Sequence, residues 1–495
     1  MRRAIPLRIC AIALLMAPLS VHAQTYVNIN TESASARAHF AKGMAAADAN
    51  RASDARSHFD MAIEADPTLA AAHLYRAQSA TSGADYMQHF GNARALRETA
   101  SDFIRIRIDV AEAQLESDTE RARELTEDLV AMHPNNPRAR VLLGNVYAAE
   151  KKTAMSRLQF NAAIELDGSF ALARKALARS FIDDKPANLT RARREAVAYW
   201  LRSPDEPVAY LLLGDVSRAE GNFKAARDSY ADAASIDPQN PTARSMQGHA
   251  NSFLGDYEAA RSDYQAAAEL SETISGKSDF GNFGVNTYLY AGDVDGALAA
   301  NATVAQGLLD AGLPDADITF PLINTYMRRA MIAMHYGRFD VAEKALRDRT
   351  DWTNKAAVQV PALSNPIKST VVFWNGMLAA RRGDLQQARQ LATQNKAMLE
   401  SGTDPRRFEA NHHLLAAIES ASGNHDAAIA HLAQADVDGV WVKYETAVAN
   451  EKAGHADKAQ ELYKEIANWN FNDLWTALYR NEAASKVKAP SMTSK

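Results

Sequence analysis

Residues Gly221 to Ala234 read GNFKAARDSYADAA, and 34 residues further on Gly255 to Ala268 read GDYEAARSDYQAAA. This period constrains the fold more than any other feature of the chain. A unit so short cannot bury its apolar face alone and has to stack on its neighbours. In the unit 207–240, Tyr210, Leu213, Gly214, Gly221, Phe223, Ala226, Tyr230, Ala233 and Pro238 stand at positions 4, 7, 8, 15, 17, 20, 24, 27 and 32. The unit 241–274 repeats this with Gly248, Gly255, Tyr257, Ala260, Tyr264 and Ala267 at positions 8, 15, 17, 20, 24 and 27. The unit 137–170 supplies Leu143, Gly144, Tyr147, Phe160 and Ala163, and the unit 36–69 supplies Gly43, Ala55, Phe59, Ala62 and Pro67 in the same phase.

Positions 4, 7, 8 and 11 share one stripe of a helix, and 20, 24 and 27 share one stripe of a second. Glycine at 8 and alanine at 20 remove bulk where the two helices cross, and the aromatic residues at 11 and 24 fill the gaps between neighbours. Proline pairs mark the joints: Pro134-Asn135-Asn136-Pro137, Pro204-Asp205-Glu206-Pro207 and Pro238-Gln239-Asn240-Pro241. The first proline stops a helix and the second opens the next, with Asn136 and Asn240 as N-caps.

The pattern resembles the tetratricopeptide repeat, a helix-turn-helix unit. The resemblance implies an all-α, right-handed superhelical solenoid of antiparallel helix pairs, about a dozen in number. Residues 36–274 form the regular part, after an N-terminal extension at 24–35. Beyond Gly255 the turn glycines return at Gly292, Gly337, Gly383, Gly423 and Gly454, at spacings of 37, 45, 46, 40 and 31. Degenerate helical pairs are therefore expected at 275–348 and 370–485. Pro361 and Pro366 make 349–369 a loop or break, an amphipathic helix near Trp475 caps the last pair, and 486–495 form a flexible tail.

The first 23 residues join Arg2, Arg3 and Arg8 to an apolar run, Ile9 to Leu19, followed by Val21-His22-Ala23. That is the layout of a cleaved export signal, and the run falls short of the ~20 residues needed to span a bilayer. A periplasmic or secreted location follows. Cleavage removes Cys10, the chain's single cysteine, and leaves 52 basic against 60 acidic residues, a formal charge of −8. Disulfides and thiol chemistry drop out, and a field of that sign repels nucleic acid.

No catalytic motif stands out, and no catalytic, metal or cofactor residue is assigned. His412, His413, His425 and His431 lack the helical spacing of a metal pair. Five of the six tryptophans, Trp352, Trp374, Trp441, Trp469 and Trp475, crowd the last 144 residues. They fill an irregular core and its cap, or, in the alternative reading, bind a glycan or small solute.

By the resemblance, the first helix of each unit lines a concave surface near positions 2, 5, 9 and 12. The groove residues singled out are Arg138, Asn145, Asp215, Arg218, Ser245, His249 and Ser252. Of the lysine, arginine and asparagine set with which one subtype of the family grips a peptide carboxylate, Asn145 alone is in place. The expected function is a non-catalytic scaffold that holds an unidentified protein or peptide partner.

Overall fold

The computed structural model describes residues 26–487 except 117, 185, 360–363 and 401–405. Residues 1–23, expected from the sequence to be an export signal, lie outside the described residues, as do those from 488 on. Each unit is a pair of antiparallel helices. The first are α1 (Ala34–Asp48) with α2 (Ala52–Ala65), α3 (Ala70–Gln78) with α4 (Gly83–Ala95), and α5 (Asp102–Leu115) with α6 (Thr119–Met132). Next come α7 (Pro137–Ala149) with α8 (Thr153–Leu166), and α9 (Ala171–Ile182) with α10 (Leu189–Trp200). The regular half closes with α11 (Pro207–Ala219), α12 (Phe223–Ile236), α13 (Pro241–Leu254) and α14 (Tyr257–Leu270).

The second half runs through α15 (Ile274–Tyr290), α16 (Val294–Asp310), α17 (Asp315–His335) and α18 (Phe339–Gln359). It continues with α19 (Ser364–Arg382), α20 (Leu385–Leu399), α21 (Glu409–Ala421) and α22 (His425–Leu432). A last pair, α23 (Val440–Lys452) and α24 (Ala456–Ala467), precedes the single helix α25 (Leu474–Lys486). Twelve pairs and one extra helix make an all-α solenoid among the described residues.

The repeated residues act as the period suggests, with one refinement. A Cβ on Gly43, Gly144, Gly214 or Gly248 would come closer than 3.0 Å to a ring carbon of Phe59, Phe160, Tyr230 or Tyr264. Position 8 is empty because the aromatic ring at position 24 of the same unit fills it. These four rings are almost fully buried, each contributing about 1.5–3 kcal/mol of apolar transfer. Ala55, Ala226 and Ala260 at position 20 have no exposed surface.

Joints follow the local chemistry. Pro137, Pro207 and Pro241 open α7, α11 and α13, where a missing N–H costs nothing. Asn136 caps α7 by accepting from the N–H groups of Arg138 and Ala139, and Asn240 caps α13 through Ala243. Among the described residues, one residue is left-handed at the turn inside nine of the twelve pairs. Glycine supplies this at Gly221, Gly255 and five later turns, while Asn50 and Lys151 adopt it at φ 61° and 59° with a Cβ in place.

In the second half the period stretches because the helices lengthen, α17 and α18 reaching 21 residues each. Segment 349–369, expected from the sequence as a loop or break, is helical at both ends: α18 extends to Gln359 and α19 begins at Ser364, and residues 360–363 between them lie outside the described residues. Pro366 falls in the first turn of α19, where backbone N–H groups have no intrahelical acceptor in any case. Pro361 lies outside the described residues.

Curvature places the first helices of the pairs inside. They pack on one another in succession, α3 on α5, α7 on α9, then α9, α11, α13, α15 and α17 in turn. The second helices do not pack on one another to this degree. After about seven pairs the coil meets itself: α4 packs on α17, Arg56 of α2 pairs with Glu272, and Lys151 pairs with Asp438 at 3.2 Å. Residues 26–33 run across the starts of α5, α7 and α9, where the Tyr26 hydroxyl donates to Asp167 at 2.7 Å and Ser101 donates to the Asn28 carbonyl at 2.6 Å.

Candidate partner-binding groove

The concave surface is divided between an open part and a filled one. From α11 onward it holds the end of the chain. Helix α25 packs on α24 and α23, as a cap would, and also on α15 and α17. All but α24 are first helices, so α25 lies inside the coil. Its Leu474, Ala477, Leu478, Tyr479 and Ala483 belong to the same apolar core as Val285, Met331 and Met377.

Between α24 and α25, residues 469–472 carry no regular structure and cross α11, α13 and α15. Arg218 of α11 donates to the Asn470 carbonyl and covers the Phe471 ring at 5.5 Å. Asn472 is fully buried. Its amide N–H donates to the Tyr264 hydroxyl at 2.6 Å and lies 3.2 Å from His249 Nδ1, and its carbonyl accepts from Asn286 at 3.2 Å and Tyr290 at 3.0 Å. Burial, reinforced by Arg218, drives the His249 pKa down to about 3, so its ring is neutral.

This contact decides where the sequence-derived groove residues end up. Arg218, Ser245, His249 and Ser252 are buried, and Arg218 and His249 meet residues 470–472 directly. Ser252 donates to the Gly248 carbonyl at 2.8 Å. Asp215 is buried as well, accepting from Tyr230 at 2.9 Å and pairing with Arg179 at 3.3 Å. Arg138 forms a buried pair with Asp48, tying α7 to α1. Of the seven, Asn145 alone is exposed.

The open part lies along α7 and α9, where sequence reasoning passed over Lys175 and Arg179 and took Asp183 for a helix-cap or turn residue. They sit in the weakly matching unit 171–204, and Lys175 and Arg179 hold its positions 5 and 9. Lys175 is half-buried, with no hydrogen bond or ion pair among the described residues. Burial, then the adjacent Arg179, lowers its pKa. Asp183 is open to solvent, yet the surrounding walls push its carboxyl upward, with Arg179 opposing.

The aromatic residues of the second half stack on one another. Trp441 lies parallel to Trp374 at 5.4 Å and to Trp475 at 4.5 Å, and Tyr479 extends the stack. Trp374 and Trp441 are each 8% exposed, so the faces a sugar would use are already covered. Beside them Glu445 accepts from Arg381 at 2.6 Å and Trp441 Nε1 at 2.8 Å, and meets His413 Nε2 at 2.8 Å. Burial would raise this carboxyl, but His413 and Arg381 hold it at about 2.

His412 meets His431 with their Nδ1 atoms 3.1 Å apart, a pairing hidden by the sequence spacing. His39 with His58 and His73 with His89 repeat it at 3.5 and 3.4 Å. Among the described residues no group of three or more histidine, cysteine or acidic side chains is placed to hold a metal. No helix there is long and apolar enough to cross a membrane.

Models of the tetratricopeptide repeat match residues 30–70, 116–169, 168–241 and 241–274. No curated protein matches the chain. Among solved structures it is similar to a tetratricopeptide repeat protein from Parabacteroides merdae ATCC 43184, at 11% identity over 55% of this chain and 92% of that one, with a TM-score of 0.34. It is also similar to pilF of Pseudomonas aeruginosa, at 15% identity over 42% and 91% with a TM-score of 0.33. MamA of Desulfovibrio magneticus RS-1 is similar at 17% identity over 34% and 96%, with a TM-score of 0.29.

Proposed function

The chain belongs to the tetratricopeptide-repeat proteins, and on that premise we propose that it is an exported, non-catalytic scaffold that holds a protein or peptide partner along the first-helix face of α7 and α9. Export rests on the layout of residues 1–23, and places the work in the periplasm or outside the cell. The observation that carries the site is the contrast along the concave surface. From α11 on, that face is covered by the chain's own residues, whereas Asn145, Lys175 and Arg179 remain accessible to varying degrees. An ammonium group without a partner, drawn down by burial, gains from any carbonyl or carboxylate oxygen that a partner segment brings to it.

Two buried groups with displaced pKa values, His249 and Glu445, favour a structural over a catalytic role. His249 is locked neutral under Asn472, and Glu445 is held by three donors in the core. The glycan reading loses three of its five tryptophans, because Trp374, Trp441 and Trp475 pack on one another.

Site-specific photo-crosslinking tests the location. A crosslinker at Asn145 or Arg179 of the full exported chain should yield one recurrent protein adduct in envelope extracts. The same probe on second helices, at Leu158 or Arg194, should not. Equal adducts from both faces, or none from the first, would refute the site. Lys175→Glu should weaken the Asn145 adduct by about ten-fold if one charge-assisted hydrogen bond is reversed.

A further inference from the structure

Residues 469–472 make the contacts that a bound peptide would make. They are extended, lie across three successive first helices, and are read through main chain and side chain together. Arg218 takes a backbone carbonyl, and the Phe471 ring rests between Arg218 and His249, its centroid 6.2 Å from the imidazole. Asn472 has its amide donor and its acceptor both engaged, by His249, Tyr264, Asn286 and Tyr290. A site built this way rejects substitutes, because leucine there would strand the Tyr264 and Asn286 groups and aspartate would lose the donor. Such selectivity goes beyond what connecting α24 to α25 requires.

The occupant also fits incompletely. Phe471 remains 42% exposed, and two buried polar atoms, Arg218 Nε of the seat and Trp469 Nε1 of the segment, find no hydrogen-bond partner. Both flanking helices contribute side chains to the apolar core, so release of residues 469–472 from the groove would not require either helix to unwind.

We propose that the surface formed by α11, α13, α14 and α15 is a peptide-reading site, held in cis by residues 469–472, whose partner is a protein segment presenting an extended aromatic–asparagine pair. The inference rests on the scaffold reading above but concerns a different stretch of the groove. Crosslinking from Asn145 or Arg179 and peptide capture at Arg218 succeed or fail separately.

The test uses the full chain and a labelled peptide with the sequence of residues 468–474, NWNFNDL, followed by fluorescence anisotropy. The variant Trp469→Gly, Asn470→Ser, Phe471→Gly, Asn472→Ser empties the seat. It should bind the peptide at least about ten-fold more tightly than the unaltered chain. Binding should be lost when the peptide asparagine equivalent to Asn472 is replaced by leucine, and when Arg218→Ala is added to the variant. A folded variant that binds no better than the unaltered chain, or takes the leucine peptide equally well, overturns the proposal. Should the fourfold variant not fold, Phe471→Ala carries the test. It removes a half-exposed ring, and an affinity rise of about three-fold is expected; no rise overturns the proposal.

Discussion

The two halves of the coil are held together by different means. Up to residue 274 each aromatic ring at position 24 fills the space over a glycine in its own pair, so stabilising contacts join residues that are close in sequence. Beyond it the decisive contacts are distant: Asn472 reaches His249 across 223 positions, and His335 meets Glu482 across 147. A repeat array propagates stability between neighbours. A chain whose end returns through its own interior couples pairs that are not neighbours, and the second half should unfold as a larger cooperative unit than any pair of the first.

The largest effect is expected where the second half buries charge. Glu445→Ala leaves Arg381 and His413 without their shared carboxylate and should cost about 3–5 kcal/mol in urea unfolding; a loss under about 1 kcal/mol would erase the contrast between the halves. In the first half, Gly214→Ala drives a methyl group into Tyr230 and should cost about 1–3 kcal/mol. A helical glycine in the second half behaves oppositely. Gly307 of α16 has open space around its missing Cβ, so Gly307→Ala should stabilise by about 0.5–1 kcal/mol. Lys151→Gly, relieving a left-handed lysine, should raise stability by a similar amount, about 1 kcal/mol. A loss would mean that the Lys151–Asp438 contact matters more than backbone strain.

Acid should act on the pairs that bury histidines before it reaches Glu445. Burial lowers the pKa values of His58, His73, His89 and His412, assisted at His58 and His412 by the facing histidine and at His89 by Arg76. A histidine with a depressed folded pKa resists protonation in the native state. Its stabilisation is therefore complete above about pH 6.5 and declines as pH falls below that value. Glu445, also depressed, is still ionised there, and its share is lost only as pH drops from the usual carboxylate range towards about 2. Amide exchange compared at pH 7 and pH 5, after correction for intrinsic rates, should thus increase in α1–α4, which hold two of the three histidine pairs, and around His249 of α13, whose pKa is driven down to about 3.

Much of this fold was legible because its rules are local. Glycine, alanine and aromatic residues recur at fixed offsets, and each packs within its own pair or on the next. The first-helix face was legible too, and Arg218, His249 and Ser252 do lie on it. What the period cannot encode is what covers that face. The covering segment stands more than 200 positions away and has no repeat signature, so Arg218 and His249, expected at an open surface, are met by it, while Arg138 is buried against Asp48 and Asp215 against Tyr230 and Arg179. Lys175 and Arg179 escaped notice for the converse reason: their unit matches the pattern too weakly for its register to be trusted. Pro366 stands in the first turn of α19, where proline is tolerated, so its presence alone does not mark a loop.

The seam where the coil meets itself gives the molecule a mechanical character. Open solenoids stretch and compress like loose springs, but here successive turns touch, through α4 on α17 and the Arg56–Glu272 and Lys151–Asp438 pairs. Compression along the axis is blocked by the touching turns, while extension is opposed there mainly by these surface ion pairs, whose attraction shrinks as salt shortens the screening length to about 10 Å and below. The molecule is a spring with a stop on one side and a salt-sensitive latch on the other.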